Sequence, residues 1–458
     1  MILTEMMTSP KSPGSLPANR PRADLQDSLR EPLSDTEVAY GRFVPRKFLH
    51  LLGFDDIRQV KLGHQVERKM TVLFSDIRDF TSLSEAMSPQ ENFNFLNSYL
   101  VQMEPVIAAH GGIIDKYIGD AIMALFPDSP DDAVRGALAM LAKLEEYNAG
   151  RERAGYRPIR IGIGINTGIV ILGTVGGLGR MDGTVIGDAV NLAARLERLT
   201  KDYQVPLLIS EYTLYSMENA VPYSIRFLDR THVRGKQDNQ SVYEVFDADT
   251  PNLRIAKRET LKLFEQALAY YHLDHIPGAR QRLEKVLLAA PDDDAASVYL
   301  ERCAQREAGL AQPHTELACG WREEYCIGVA QIDRSHEILL NDMNALGRAV
   351  HVGASQLTSP LLAQIQFSAA SAFTIEEEMM HDSEYPFVVL HARQHQRFFE
   401  YFGELRNEIE GGSEDSLYLA FRVKRLLTDW LVNHILNADR HFGYFLRGRN
   451  VPGAEESA

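Results

Sequence analysis

The 458-residue sequence contains only three cysteines and has no excess of positive charge. Cys303, Cys319 and Cys326 are too few for a disulfide framework and lack CxxC spacing, so we expect a reducing, cytoplasmic compartment. Lys and Arg total 48 against 63 Asp and Glu, which gives a net charge of −15. A chain of this charge has no general attraction for nucleic acid or anionic lipid. Any anionic substrate must therefore be held by locally placed cations or metal ions.

The sequence also lacks a recognisable secretory signal, since its first residues contain no apolar core. One apolar stretch, 159–179, is long enough to cross a bilayer. It is rich in Ile and Val and is interrupted by Asn166, Thr167 and Gly168, which favours two buried strands joined by a tight turn. We therefore expect neither a membrane nor a nucleic-acid partner.

The composition changes along the chain, and at about 150 residues per domain the length suggests roughly three domains. Residues 1–39, with Pro, Ser and charge but no periodicity, predict a disordered leader, and 40–68 predict a short amphipathic segment. Strand-like and helical runs alternate over 69–248, which is typical of an α+β domain around one sheet.

Beyond Pro251 the pattern is helical. Residues 253–312 predict two or three amphipathic helices that resemble a tetratricopeptide-type connector, with an ordinary helical linker as the alternative. Four long helical patterns over 315–449, joined by short connections, predict a four-helix bundle. Eight of the 14 histidines fall after residue 313, about three times the earlier density.

Two aspartates in the α+β segment follow apolar strand-like runs. Asp76 ends TVLFSD, and Asp120 lies in the tight Gly–Asp turn of IIDKYIGDAIMALF. Two carboxylates brought together recruit hard cations such as Mg²⁺, although each alone is also a common turn residue. TVIGDAVNLAARLE places Asn191 and Arg195 four residues apart on one helical face. The guanidinium suits a phosphate, and the amide can orient a hydroxyl or a ribose oxygen.

Together FSDIRDFT, KYIGDAIMALF and TVIGDAVNLAARLE resemble the catalytic domain of class III nucleotide cyclases over about 70–246. The resemblance implies a ferredoxin-like βαββαβ core and conversion of ATP to 3′,5′-cyclic AMP and pyrophosphate. It implies two Mg²⁺ or Mn²⁺ ions on Asp76, Asp120 and the carbonyl of Ile77, with Asn191 and Arg195 stabilising charge at the α-phosphate. The further substrate contacts that it implies are Lys236 and the backbone amides of Phe80 and Thr81.

Lys116 and Thr184 stand at the base-selecting positions of the family that the sequence resembles. A Lys–Thr pair is similar to the adenine-selecting pair of one bacterial subgroup, whereas a guanine-selecting member would have an acidic residue at 116. The pair therefore favours an adenylate cyclase, with a guanylate cyclase of the same fold as the alternative. In this family the metal-binding residues come from one subunit and the Lys–Thr and Asn–Arg pairs from the other, which implies a head-to-tail homodimer.

Four helical patterns of the C-terminal region each carry a histidine or a carboxylate. His391 and His395 are i, i+4 on the third pattern, so their rings share one face. Inward His and carboxylate donors on four helices can build a buried dinuclear metal site, and this mixture suits iron. The donors are His336, Glu376, His391, His395, His434 and Asp439.

The segments WREEYCIGVAQIDRSHEILL, FTIEEEMM and WLVNHILNADR resemble hemerythrin over about 315–446. The resemblance implies a non-haem diiron centre with His391, His395 and His434 on one iron and His336 on the other. Glu376 and Asp439 would then be the bridging carboxylates.

Ala372 stands where that family has its remaining histidine ligand. Alanine cannot coordinate, so one iron would have an open position for oxygen or another small diatomic ligand. His381, one turn beyond Glu376, is a possible substitute, and a weaker, partly loaded site is the alternative. The open position favours sensing of oxygen, redox state, nitric oxide or iron over oxygen storage.

The combined expectation is a cytoplasmic, homodimeric adenylate cyclase that is regulated by oxygen, redox state or iron through the C-terminal bundle. The helical segment 253–312 would pass the change to the catalytic site. The alternative from another class is an iron- or oxygen-binding protein with an inactive cyclase domain.

Overall fold

The computed structural model describes residues 46–177, 179–232, 239–309, 319–412 and 415–448. The expected disordered leader, 1–39, and the expected substrate contact Lys236 lie outside the described residues. No helix of the described ranges has the length and apolarity that a bilayer crossing requires.

One mixed sheet organises the first half of the described chain. Its strands pair in the order β2-β3-β1-β4-β6-β8-β7, with β5 paired to β4, and the β4–β6 pair alone is parallel among those described. The strands are β1 Gln65–Ile77, β2 Ile113–Ile118, β3 Ala121–Phe126, β4 Ile161–Gly177, β5 Arg180–Ile186, β6 Leu207–Ser210, β7 Ile225–His232 and β8 Asn239–Val245.

Helices pack on this sheet, and with it they form the expected α+β domain, so the fold-class prediction is confirmed. Ser88 caps the N-terminus of the helix Pro89–Ala109. It forms a capping box with Glu91, in which each side chain accepts a hydrogen bond from the other residue's backbone amide. The helices are α1 Arg46–Leu51, α2 Phe80–Glu85, α3 Pro89–Ala109, α4 Pro130–Arg153, α5 Asp188–Asp202 and α6 Glu211–Ser216.

The prediction of two strands joined by a turn within 159–179 is wrong. Strand β4 runs without a break through Asn166, Thr167 and Gly168, and it pairs with β1 over its first 13 residues. The polar side chain of Asn166 is buried but satisfied, because it accepts from Ser210 Oγ at 2.6 Å and donates to the Ala189 carbonyl at 2.9 Å. Tertiary partners on β6 and α5 thus replace the solvent that the expected turn would have offered.

Four helices follow the sheet, rather than the predicted two or three: α7 Pro251–Glu259, α8 Leu261–His272, α9 Ile276–Ala289 and α10 Asp294–Glu307. Their apolar faces join the core of the sheet, where Phe264 and Tyr299 pack beside Phe227 of β7. The connector therefore buries its face against the sheet domain and is not an isolated helix pair.

A fully buried charge network joins β7 and β8 to this connector. The Arg226 guanidinium donates to both carboxylate oxygens of Asp293, at 2.6 and 2.7 Å, and to Glu244. Lys257 donates to the other Glu244 oxygen at 2.8 Å. Asp293 also caps α10 by accepting from the Ala296 amide at 3.2 Å.

The C-terminal helices form the predicted four-helix bundle around their own apolar core. They are α11 Ala330–His351, α12 Ser355–Asp382, α13 Val388–Glu410 and α14, residues 416–446. Helix α14 is continuous but changes its winding: Lys424–Asp429 and Ile435–Asp439 are π-helical between the α-helical parts Ser416–Val423, Trp430–His434 and Arg440–Leu446.

Replacing Asp293 should destabilise the protein strongly. Asp293→Ala removes two charge-assisted hydrogen bonds and a helix cap, and it leaves Arg226 buried with Glu244 alone, so we expect a loss of about 3–5 kcal/mol in the free energy of unfolding. Urea denaturation followed by circular dichroism measures it. Asp292→Ala, an exposed neighbour on the same loop, is the matched control and should have little effect. Equal denaturation midpoints for both variants would contradict the role of the network.

Candidate catalytic site and metal centre

The two aspartates predicted to bind catalytic metal ions lie side by side. The β1–β3 register pairs Ser75 with Ile122, so Asp76 at the end of β1 meets Asp120 in the β2–β3 turn. Gly119 permits this turn with a φ of +66°. Burial and the adjacent Asp76 carboxyl raise the pKa of Asp120 to about 7. One Asp120 oxygen is also buried without a hydrogen-bond donor in the described chain, and a bound cation would satisfy it.

Phe80 and Thr81 open helix α2 directly after this strand end. Asp79 before them adopts a left-handed conformation, with a φ of 56°, which turns the chain from the strand into the helix. The first amides of a helix have no intrahelical acceptor and are therefore available to an anion. Both residues thus keep the backbone groups that the sequence resemblance assigned to phosphate.

Lys116 and Thr184 also come together. Lys116 Nζ lies 3.5 Å from Thr184 Oγ1, although 68 residues separate them in the sequence. The contact arises because β5, paired to β4, brings Thr184 towards β2. Lys116 additionally lies 3.3 Å from the carboxylate of Asp115.

Asn191 and Arg195 lie on α5 but face away from the sheet. Glycines of β4 let this helix approach closely, since a Cβ on Gly164 would overlap the Ala193 carbonyl and the Glu197 amide. Positions 191 and 195 are each two residues from 193, about 200° around the helix, so their side chains point to the opposite side. There they line a cavity of about 740 Å³ that Asp76, Asp120, Lys116 and Thr184 do not line.

The six candidate ligands of the bundle, in contrast, are buried together, and each is at most 3% exposed. Five of them offer ligand atoms that all lie within 4.8 Å of one another, namely Glu376, His391, His395, His434 and Asp439, and His336 lies beside both carboxylates. The Nε2 atom of His434 lies 3.0 Å from the Nε2 atoms of both His391 and His395. Nitrogen ligands about 2.1 Å from an octahedral ion are about 3.0 Å apart, so this spacing fits a shared metal ion.

Two carboxylates complete the cluster. Glu376 lies 2.7 Å from His336 and 3.1 Å from His395, and Asp439 lies 2.9 Å from His391 and 3.3 Å from both His336 and His434. Both Asp439 oxygens and one Glu376 oxygen are buried without a hydrogen-bond partner among the described residues. Imidazoles and bridging carboxylates with unsatisfied oxygens match the donor set of a dinuclear transition-metal centre.

The local electrostatics also favour a cation. Burial opposes the charge of Asp439, but the imidazoles of His434, His336 and His391 hold the pKa of this carboxyl well below its usual value. Burial lowers the pKa of His391 to about 4, which keeps a neutral imidazole suited to coordination. Burial also opposes the charge of His395, but Glu376 and Glu377 raise the pKa of this imidazole to about 9, so metal binding there would displace a proton.

Helix winding explains how His434 and Asp439 both reach the centre. Five residues of an α-helix turn the chain by about 500°, which would leave these side chains about 140° apart. The π-helical stretch Ile435–Asp439 between them has i→i+5 hydrogen bonding, so residues five apart share a face. Such stretches are frequent at functional sites.

The imidazoles are oriented by residues that the sequence reasoning missed. Glu377 accepts from His395 Nδ1 at 2.8 Å, and Gln394 contacts His434 Nδ1 at 3.0 Å. Phe373 stacks on His395 at 4.0 Å between ring centroids, and Trp430 stacks on His434 at 4.7 Å. Two sequence signals could have identified these residues: Glu377 follows Glu376 in the run EEE, and Gln394 lies between His391 and His395 in HARQH.

Ala372 is buried on α12, one turn before Glu376, and offers no ligand atom. The suggested substitute His381 is exposed near the end of the same helix, so it does not enter the site and this alternative is wrong. Five residues after Glu376, an α-helical position is turned about 140° away from it, and α12 is α-helical between these two residues.

Two parts of the chain match known protein families. The family model "Adenylate and Guanylate cyclase catalytic domain" matches residues 62–246, and "Hemerythrin HHE cation binding domain" matches 327–446. The chain therefore carries a class III cyclase catalytic domain followed by a hemerythrin domain.

Known proteins resemble parts of the chain. An adenylate cyclase of Anabaena cylindrica is 45% identical over 233 residues, which cover 50% of this chain and 46% of that protein. A terminal-differentiation-specific adenylate cyclase of Dictyostelium discoideum is 36% identical over 291 residues, 62% of this chain and 14% of that protein. The structure of a bacterial light-regulated adenylyl cyclase is 28% identical in sequence and has a TM-score of 0.42. The match covers 47% of this chain and 62% of that chain. The chain thus spans less than half the length of these two curated relatives.

Removing the Glu377 carboxylate should weaken metal binding without removing a ligand. Glu377→Ala frees the His395 ring to rotate and lowers its basicity, and such losses cost about 10- to 100-fold in metal affinity. Competition against a chelator, read by elemental analysis of the protein, measures the change. Glu378→Ala, the exposed next residue, is the matched control and should bind metal like the unmodified protein. Equal affinities of the two variants would refute the orienting role.

Proposed function

We propose that the chain is an adenylate cyclase that forms 3′,5′-cyclic AMP and pyrophosphate at sites shared by two copies, under the control of a diiron centre in its hemerythrin domain. The observation that carries the catalytic part is the pairing of Asp76 with Asp120 at the end of β1. The matching cyclase family model and the adenylate cyclases among the relatives support it.

The reaction forms a bond from the ribose 3′-oxygen to the α-phosphorus and breaks the bond from that phosphorus to the departing pyrophosphate. Two Mg²⁺ or Mn²⁺ ions held by Asp76, Asp120 and the Ile77 carbonyl would supply activation of the hydroxyl and charge neutralisation when bound. Arg195 and Asn191 stabilise the negative charge that grows on the α-phosphate, an effect commonly worth about 3–4 kcal/mol. The amides of Phe80 and Thr81 bind the terminal phosphates, and Lys236 is a further phosphate contact.

Adenine selection rests on Lys116 and Thr184. Their 3.5 Å separation lets both contact one base edge, where Lys116 donates to the ring N1 and Thr184 accepts from the 6-amino group. Guanine carries a protonated N1, so the Lys116 ammonium, which only donates, would meet another donor there. This mismatch favours ATP over GTP.

The directions in which the side chains point within one copy support the shared site. Asn191 and Arg195 lie on the side of α5 opposite Ala193 and line a cavity that Asp76 and Asp120 do not line, which supports a site completed by a second copy. A head-to-tail homodimer joins the metal-binding pair of one copy to the Asn–Arg pair of the other and gives two complete sites.

Mixing two inactive variants should restore activity. Asp76→Ala and Asn191→Ala homodimers each lack both sites, but a mixed dimer keeps one intact site. After random exchange we expect about a quarter of the unmodified rate, because half the dimers are mixed and each has one site of two. Cyclic AMP formation by the mixture measures it. The absence of any recovery above the separate variants would exclude a shared site.

The hemerythrin domain supports control by a diiron centre. His391, His395 and His434 would bind one iron, His336 the other, and Glu376 and Asp439 would bridge them; their separations of 2.7 to 3.3 Å support this assignment. Ala372 leaves one coordination position open to a small ligand such as oxygen. An open position makes ligation and redox state variable, as a sensor requires.

The iron state should change the rate of catalysis. We expect metal-free, diferrous and diferric protein to differ in cyclic nucleotide formation from equimolar ATP and GTP, with cyclic AMP as the main product. The optical spectrum of each preparation reports its iron state. Identical rates in all three states would remove the sensor role, and equal amounts of cyclic GMP would remove the adenine assignment. An inactive protein with a normal iron spectrum would instead favour an iron- or oxygen-binding protein.

A further inference from the structure

The hemerythrin bundle covers the face of the cyclase domain that carries Asn191 and Arg195. One wall of the 740 Å³ cavity consists of α5 and neighbouring parts of β1 and β4, and the opposite wall is formed by α13 and α14. His391 and Gln394 lie on the bundle wall, so the cavity extends from the Asn–Arg pair to the metal centre.

Polar contacts hold the bundle in this position. Arg397 of α13 donates to the backbone carbonyls of Met217 and Glu218, each at 3.0 Å. His441 of α14 contacts Glu67 of β1 at 2.7 Å. These contacts secure two edges of the interface around the cavity.

The helix that supplies two metal ligands also supplies docking contacts. Asn433 donates to the Glu211 carboxyl and Asn437 donates to the Tyr212 hydroxyl, so the neighbours of His434 bond helix α6 of the cyclase domain. Trp430, which stacks on His434, also meets Tyr215 of α6 edge to face.

Helix α6 is in turn connected to the helix that carries the Asn–Arg pair. Ser210, the N-cap of α6, donates to Asn166 Oδ1 at 2.6 Å. The Asn166 amide donates to the Ala189 carbonyl in the first turn of α5, two residues before Asn191. Ser210, Asn166 and Ala189, the three residues that this series of hydrogen bonds joins, are all buried.

We propose that this docking is autoinhibitory: the bundle closes the half-site of Asn191 and Arg195, and a change at the metal centre releases it. The inference rests on the proposed function, since it takes the shared dimer site as given. The cavity is the size of a small-molecule site, so it cannot admit the strand end and the hairpin that carry Asp76 and Asp120 of a second copy. Docking of the bundle and assembly of the catalytic site therefore exclude each other.

The metal centre can bias the equilibrium between the docked and the released bundle, because α14 carries both metal ligands and docking contacts. A ligand shifts a conformational equilibrium only by its difference in affinity for the two states. A shift of His434 on coordination would also move Asn433 and Asn437, and would thus change the docking contacts directly. This route acts through α6 and does not require the connector helices α7–α10.

Loosening the docking should raise basal activity. Arg397→Ala removes both carbonyl contacts with the cyclase domain, and we expect about a three- to tenfold increase in cyclic AMP formation by the full-length, iron-loaded protein. Arg406→Ala is the matched control, because this arginine of the same helix bonds only Glu410 and Gln366 within the bundle. His441→Ala loosens the other edge and should act in the same direction.

Hydrogen exchange separates this inference from the proposed function. Peptides covering 187–196 should exchange faster in Arg397→Ala than in Arg406→Ala, while the bundle core stays protected. Faster exchange together with raised activity supports autoinhibition, and faster exchange with unchanged or reduced activity overturns it. Equal exchange in the two variants overturns the docking itself. If no variant forms cyclic AMP while exchange still differs, the proposed function fails and the inhibitory role fails with it.

Discussion

The structure depends on the burial of two carboxylates among four imidazoles without a compensating lysine or arginine. Glu376 and Asp439 are at most 1% exposed, and in the described chain only histidines lie within ion-pair distance of them. Buried charge is costly unless it is paired or coordinates a metal. A cation at this point would therefore join all four helices, which otherwise meet through apolar contacts and through hydrogen bonds such as those from Ser368 to Asp342 and from Arg422 to Glu408. It would fix their rotation as well as their spacing.

This constraint reaches the cyclase domain through α14. The helix must present His434 and Asp439 inwards, and its residues between and beside them then face α6 and β1. The two domains thus share a helix surface, not merely a connector. The Arg226 network adds a second fixed junction, because its charges are buried where the sheet meets α7 and α10. Both junctions use polar groups whose partners lie far away in the sequence.

Much of the architecture could be predicted because it depends on local pattern. Alternation of strands and helices predicted the α+β domain, and helical periodicity predicted the bundle. Prediction failed where a long-range contact replaced a local preference. Asn166, Thr167 and Gly168 have turn composition, but Ser210 and Ala189 satisfy the buried amide and the strand continues. Closeness to Glu376 along the helix suggested His381, whereas the winding of α12 points this side chain to solvent.

The sequence by itself carried the candidate chemistry. Residue type and spacing indicated two aspartates after apolar strands, an Asn–Arg pair on one helical face, and His and carboxylate donors on four helices, and the family resemblance added the Lys–Thr pair and the role of each residue. Tertiary structure alone decided how they are used. His434 and Asp439 share a face only because α14 winds as a π-helix between them. Asn191 and Arg195 turn away from Asp76 and Asp120 because glycines of β4 seat the other side of α5 on the sheet. The position of α5 depends on its packing against β4, a separate segment of the chain, so the residue pattern of α5 alone does not encode it.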